Sequence, residues 1–360
     1  MRSLIRLLSI AILGFTGFAG TAYSAAPAIR ETVLPPVLKG RPCWNLKVSK
    51  DCPMGAIMVT LGLSLEDMWY EKRFKDLDEV MRALCSRDTR LPDGQPEMLV
   101  FESTFSRLTS EKRDWRKIGA KLIEWRSQSR DSAAQAFAEI MYWRSYAWHG
   151  RGGNYANKVP PEAWELFHER MGKAFERLEE SKALAGNCPL WHSLKLKTLI
   201  EAGAPRAKVE SVYAEAVKAF PASQQIHFAM SFSMDRKWGG KPGDFDRFAR
   251  RALNLSKGSE GNTIYARLFW YDDCDCDEAI TFGRAGDPDW KLMKAGFEDL
   301  LQRYPDQVYN RNKFASFACR ANDPATYIKL RQELGDNIVD HLWQSSWNVD
   351  VCDRRMGKKS

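Results

Sequence analysis

Val209-Glu210-Ser211-Val212-Tyr213-Ala214-Glu215-Ala216-Val217-Lys218-Ala219-Phe220-Pro221 carries the pattern on which the fold turns. Val209, Val212, Tyr213, Ala216, Val217 and Phe220 recur at i, i+3, i+4 and i+7, the stripe of a helix with one buried face. Pro221 ends that helix, because it has no N–H to donate and its ring clashes with the preceding turn. A second stretch, Phe297 to Tyr304-Pro305, repeats the spacing of Tyr213 to Phe220-Pro221, and each is followed by a helix with a Phe-Ala pair, Phe228-Ala229 and Phe314-Ala315. Helices that end in aromatic-Pro and link tightly to a packed antiparallel helix are how tetratricopeptide-like units stack, each burying its apolar face on its neighbour. The spacing predicts an all-α fold with a tetratricopeptide-like helical repeat, an α–α superhelix, over 188–352. Two matched units also suit an irregular helical bundle with chance similarity.

Outward from the repeat, proline punctuates most of the chain. Pro288 opens the helix that holds Trp290, Met293, Phe297, Leu300 and Leu301, and Pro189 and Pro205 start two more. Pro160-Pro161 begins a helix with Pro in its first turn, where the missing N–H costs nothing, and Trp164, Phe167, Met171, Phe175 and Leu178 mark its buried face. Asp131-Ser132 opens the helix of Phe137, Ile140, Met141 and Trp148, which Gly150 to Gly153 ends, and Trp115, Ile118, Leu122 and Trp125 form another stripe. Ser64 with Asp67 reads as a capping box ahead of Phe74, Leu77, Val80, Met81 and Leu84, and Leu91-Pro92-Asp93-Gly94 as a turn. The domain reading is an N-terminal helical part over 62–187, an irregular extended lead-in over 25–61 that is rich in Pro and Gly, and a basic tail over 353–360.

The full chain has 360 residues, 44% of them hydrophobic and 28% charged, with 13 Trp and 18 Phe. That excludes disorder as the main state and supplies ample core. Residues 1–24 hold Arg2, Arg6, an apolar run from Leu7 to Ala19 and the small residues before Ala25, the layout of a secretory signal peptide cleaved after Ser24. The same residues also suit an uncleaved anchor, but the run is short for a bilayer. Their removal takes two arginines and no acid from a net charge of +8. The remaining cations interleave with acids, as in Glu71-Lys72-Arg73, which reads as solvated helix faces and speaks against nucleic acid as a partner. No later run reaches transmembrane length, so no membrane span is expected after signal cleavage.

Eight cysteines in an exported chain point to disulfides. Cys43 and Cys52 flank a short segment and read as a staple, whereas Cys274 and Cys276 are too close in sequence to pair easily and are expected to reach elsewhere or stay reduced.

Arg73-Phe74-Lys75-Asp76-Leu77-Asp78, Asp93-Gly94, Trp148-His149-Gly150-Arg151-Gly152, Lys237-Trp238-Gly239-Gly240, Tyr265-Ala266-Arg267 and Tyr304-Pro305-Asp306, as an ordered set over roughly residues 65–345, resemble an uncharacterised bacterial family whose members carry a domain of unknown function and a tetratricopeptide-like helical region. The resemblance implies an all-α fold, favours the periplasm, and carries no catalytic residues. The acidic stretch at 272–278 departs from it.

The most site-like segment is Trp148-His149-Gly150-Arg151-Gly152-Gly153, where glycines admit an anion to the backbone and Arg151 is placed to hold a carboxylate or phosphate. It reads equally as a helix cap with Arg151 tying down the next helix. Arg236-Lys237-Trp238-Gly239-Gly240 offers a Trp between cations, suited to stacking a sugar or an aromatic peptide side chain, or simply to covering a helix junction. If both loops fall on one rim, Trp148, Arg151, Gly152, Arg236, Trp238 and Arg267 line a shared groove. Asp272 to Glu278 matches neither a calcium loop nor a zinc knuckle, the five scattered histidines form no known motif, and Glu179-Glu180 and Glu162/Glu165 sit on charged helix faces. No metal, cofactor or catalytic residue is therefore assigned. The expectation is an exported protein binding a protein or peptide partner in the cell envelope, in the periplasm. The alternatives are an envelope hydrolase acting on cell-wall glycan, which needs a buried acid of raised pKa in a cleft, and a structural or stress-related envelope factor.

Overall fold

The computed structural model describes residues 43, 47–49, 52–86, 89–110, 112, 114–273, 280–284 and 286–357. Residues 1–24, read above as a signal segment, most of the expected lead-in, Cys274, Cys276 and residues 358–360 lie outside them. Among the described residues the chain is all-α, and the β pairing is an isolated bridge between Arg90 and Pro96.

The N-terminal part contains α1 (Met54–Tyr70), α2 (Phe74–Ser86), α3 (Met98–Leu108), α4 (Trp115–Gln128), α5 (Ala133–Arg151), α6 (Pro161–Glu180) and the single turn α7 (Lys182–Ala185). The helical part begins earlier than the sequence suggests. Residues 54–61 of the expected lead-in belong to α1, and Ser64 lies inside that helix, its hydroxyl donating back to the Thr60 carbonyl at 2.7 Å in place of capping anything. Asp114 and Ser132 do cap, accepting from the N–H of Lys117 and Gln135. Long α5 packs on α6 and also touches α2, α3 and α4, so it is the spine of this half. Trp125, Phe74, Phe105 and Trp69 meet face or edge around its foot, with Phe74 and Trp125 stacked at 5.2 Å.

The second part runs α8 (Pro189–Glu201), α9 (Arg206–Ala219), α10 (Gln224–Ser231), α11 (Asp244–Glu260), α12 (Thr263–Asp272), α13 (Trp290–Arg303), α14 (Val308–Arg320), α15 (Pro324–Leu334) and α16 (Val349–Met356). The two aromatic-Pro joints have one geometry. Phe220 closes α9 at φ −134°, ψ 64° and Tyr304 closes α13 at φ −131°, ψ 67°, and each backbone N–H bonds the carbonyl four residues back. The second helix starts three residues after each proline, but the Phe-Ala pair of α14 sits two residues deeper than that of α10. The opening of α13 is set by Asp289, whose carboxylate accepts from the N–H of Lys291 and Leu292, not by Pro288. Consecutive helices pack on one another from α8–α9 through α14–α15, and α8 also packs on α10. The apolar core changes over within α8: Leu190, Trp191 and Leu194 belong to the first half's core, Leu196, Leu199 and Ile200 to the second's.

Three disulfides staple the described residues: Cys43–Cys52 as the spacing suggests, Cys85–Cys188 joining the end of α2 to the start of α8, and Cys319–Cys352 joining α14 to α16. The last corrects the tail. Residues 353–356 continue α16, Asp353 accepts from the Tyr327 hydroxyl at 2.6 Å, and Arg355 covers Trp347.

The Thr89–Met98 segment is buried to a degree that loops rarely reach. Asp93 is fully buried, and its carbonyl accepts from the Arg267 guanidinium of α12 and from the Asn310 amide of α14 at 3.0 Å. Arg90 pairs with Glu260 at 2.7 Å, and Glu260 also accepts from Gln224 at 2.9 Å. Gly94, at φ +89°, admits the Tyr304 ring so closely that a Cβ there would lie 2.4 Å from it. A turn from the first half is thus keyed into the second.

Candidate functional site

The end of α5 bears Tyr142-Trp143-Arg144-Ser145-Tyr146-Ala147-Trp148-His149, and the helix leaves this dense aromatic run half-buried. Gly152 caps α5 at φ +76°, its N–H reaching the Trp148 carbonyl at 3.0 Å. Arg151 lies between two rings, 5.1 Å from the centroid of Trp148 and 4.9 Å from that of Trp164 at the start of α6. One guanidinium nitrogen donates to the carbonyls of Gly152 (3.1 Å) and Asn154 (3.0 Å). Arg151 therefore ties down its own loop, the plainer of the two roles the sequence offers, and holds up a bend on which Tyr155 stands 82% exposed.

Trp238 approaches the same place from the other half. Its loop is rigid by construction: the Asp235 carboxylate accepts from the Lys237 N–H at 2.6 Å, the Asp235 carbonyl accepts from the N–H of Trp238 and Gly240, and a Cβ on Gly240 would lie 1.8 Å from the Met234 carbonyl oxygen. Trp148 and Trp238 meet edge to face with ring centroids 6.0 Å apart, and Trp148 meets Phe167 in the same way at 5.2 Å. The structure brings together Trp148, Arg151 and Trp238, three of the candidates read from the sequence. Arg236 and Gly152 flank them as exposed residues.

Arg267 does not join this surface. It is buried, covers Trp270 at 4.5 Å and serves the Asp93 turn, with its guanidinium 3.8 Å from the Asp93 carboxylate. Its position near the middle of a ten-residue helix buried on most sides turns it inward. Trp164 is the residue that sequence reading assigned to core alone. At the first turn of α6 only part of its ring is covered, and it completes the aromatic set around Arg151. Beside them, Arg170 lies 3.4 Å from the Tyr146 ring centroid and donates to the Tyr146 carbonyl, and Tyr146 stacks on Trp115 at 4.6 Å.

The acids that the sequence offers for glycoside cleavage sit in ion pairs or on exposed helix faces. Glu179 bonds Lys195 at 2.8 Å, which lowers its pKa, and Glu180 is shared by Arg126 and Arg177. Glu162 and Glu165 are exposed on α6. Glu97, which the sequence gave no reason to single out, is the carboxyl that burial pushes up, to about 7, with Thr89 drawing it partly back. It is 2% exposed and lies within the keyed segment itself. The histidines are structural where they are buried. The carbonyl of Pro221 can only accept, so His227 carries its proton on Nε2 (2.9 Å) and accepts from the Tyr213 hydroxyl on Nδ1 (2.8 Å). Desolvation holds its pKa down at about 4.

Among the described residues no group of three or more His, Cys, Asp or Glu is placed to hold a metal ion, and no helix is long and apolar enough to cross a membrane. Compared with family models, curated proteins and solved structures, the chain matches none.

Proposed function

We propose that the chain is an exported, tetratricopeptide-like helical-repeat protein of the cell envelope that binds a protein or peptide partner through the Trp148–Trp164–Trp238 surface. One observation carries the reading. Two tryptophans from segments far apart in sequence meet edge to face while each keeps part of its ring free, with an arginine held beside them. Large rigid aromatics next to arginine lose little conformational freedom on docking and dominate binding energy where they occur at interfaces. The repeat reading is supported by the shared geometry of the Phe220-Pro221 and Tyr304-Pro305 joints. Export is supported by the leader-like residues 1–24 and by three disulfides, which persist in oxidising compartments.

The test is capture from envelope extract with purified mature protein, comparing wild type with a Trp148→Ala, Trp238→Ala double variant of unchanged circular dichroism. A partner that crosslinks to a photoreactive residue at position 238 in the wild type and loses at least about tenfold in affinity for the double variant is the expected result. Equal capture by the two proteins removes this surface from the function.

A further inference from the structure

A second site lies where the two halves meet, away from the tryptophans. A cavity of about 260 Å³ opens between the end of α2, the keyed Thr89–Met98 segment and the joint between α9 and α10. Its apolar walls include Leu84, Met98, Pro189 and Phe220. Two polar side chains on the wall have no hydrogen-bond partner: the Gln225 amide Nε2, on a residue only 5% exposed, and the Ser223 hydroxyl. Ser223 stands at the N-cap position of α10 without making a side-chain cap bond, and Cys188 stands in the same relation to α8, whose first residue, Pro189, is on the wall. Two unpaired donors therefore line one small, largely apolar space at the starts of α10 and α8. A buried amide left unpaired costs free energy that an acceptor entering the cavity would recover. The described residues on the wall carry no charged side chain, and an unpaired charge costs far more to bury than a neutral polar group.

We propose that this cavity binds an uncharged, apolar group bearing a carbonyl oxygen, the chemistry of a hydrophobic amino-acid residue in a blocked or peptide-bonded state. The carbonyl accepts from Gln225 Nε2 and the Ser223 hydroxyl, and the apolar side chain lies against Met98, Leu84 and Phe220. The site is independent of the tryptophan surface, so its failure leaves that proposal standing, and the reverse.

The experiment titrates full-length mature protein with N-acetyl-leucine amide and follows the Met98 methyl and the Gln225 side-chain amide by NMR. Saturable shifts of both signals are expected, with binding about five- to tenfold weaker in Gln225→Leu, the loss of one hydrogen bond to a neutral group. Ser223→Ala, which removes an oxygen without filling the cavity, carries the test if Gln225→Leu fails to fold. Absence of a saturable shift in the wild type overturns the proposal, as does unchanged affinity in the folded variants. Tighter binding of N-acetyl-leucine with its free carboxylate also overturns it. A blocked tripeptide binding more tightly than the single residue assigns the source to a peptide, and equal affinity assigns it to a small molecule; each supports the shared chemistry.

Discussion

At the scale of single residues, Glu97 makes the sharpest prediction. Its carboxyl sits near 4.5 in the unfolded chain and about 7 in the folded one, so folding favours the protonated form. Below pH 4.5 the residue is protonated in both states and costs nothing. As the pH rises from 4.5 through 7 the unfolded chain gains ionisation that the buried site resists, and stability falls by about 3 kcal/mol in all. Glu97→Gln should therefore raise the urea midpoint at pH 8 and leave it nearly unchanged at pH 4. An equal shift at both pH values would refute the assignment. Nothing in the sequence marks this residue, because Gln95-Pro96-Glu97 reads as surface turn chemistry, and only tertiary burial reverses that. The tryptophans of the proposed surface divide along the same line. Trp148 and Trp238 were legible from the glycines and cations beside them, whereas Trp164 was hidden in a regular amphipathic stripe. Arg267, legible as a cation in a helix, was not legible as the partner of a carbonyl far back in the chain.

At the scale of elements, the joints were readable because proline acts locally: whatever surrounds Phe220-Pro221 and Tyr304-Pro305, the helix has to stop there. Helix α3 escaped for the opposite reason. Met98, Val100, Phe101, Glu102, Thr104, Phe105 and Leu108 are all buried, and the polar Glu102 and Thr104 among them blur the narrow stripe that Ser103, Ser106 and Arg107 make on the other side. Ser64 misled because a serine three residues before an acid looks the same at a helix start as in the middle of a buried helix. The α9–α10 joint also carries its own proton chemistry. His227 is neutral in the folded state, with a pKa of about 4 against 6.5, and its contribution is fully present above pH 6.5. It is lost as the pH falls through that window, by about 3 kcal/mol at its lower end. His227→Gln should flatten the acid limb of the thermal-unfolding profile between pH 6.5 and 4, and a variant with the same acid limb as wild type would show that another group sets it.

At the scale of the whole molecule, the disulfides are unequal. Cys85–Cys188 closes a sequence separation of 103 residues and Cys43–Cys52 one of 9. Loop-closure entropy assigns about 5 kcal/mol to the first and about 3 kcal/mol to the second. Cys85→Ala with Cys188→Ala should lower the urea midpoint more than Cys43→Ala with Cys52→Ala, and the reverse order would show that residual structure in the unfolded chain governs both. The keyed turn couples the halves through hydrogen bonds and ion pairs, alongside the Cys85–Cys188 link. Arg267→Leu leaves the Asp93 turn buried without its cation, at about 3 kcal/mol. It should also separate the unfolding of α1–α7 from that of α8–α16, seen as circular dichroism and tryptophan fluorescence no longer coinciding. Coincident curves in that variant would mean that the core running through α8 and the Cys85–Cys188 link suffice to hold the halves together.

Repeat arrays ordinarily lengthen or shorten by whole units, since each unit answers only to its neighbours. Here the Asp93 turn reaches across to Glu260 through Arg90, to Arg267 and to Asn310, on α11, α12 and α14. Inserting or deleting one helix pair between α10 and α14 would carry at least one of those partners out of reach. The turn thus acts as a ruler: it fixes where α11, α12 and α14 stand relative to the first half, and any change in the helices between them has to give up one of its bonds.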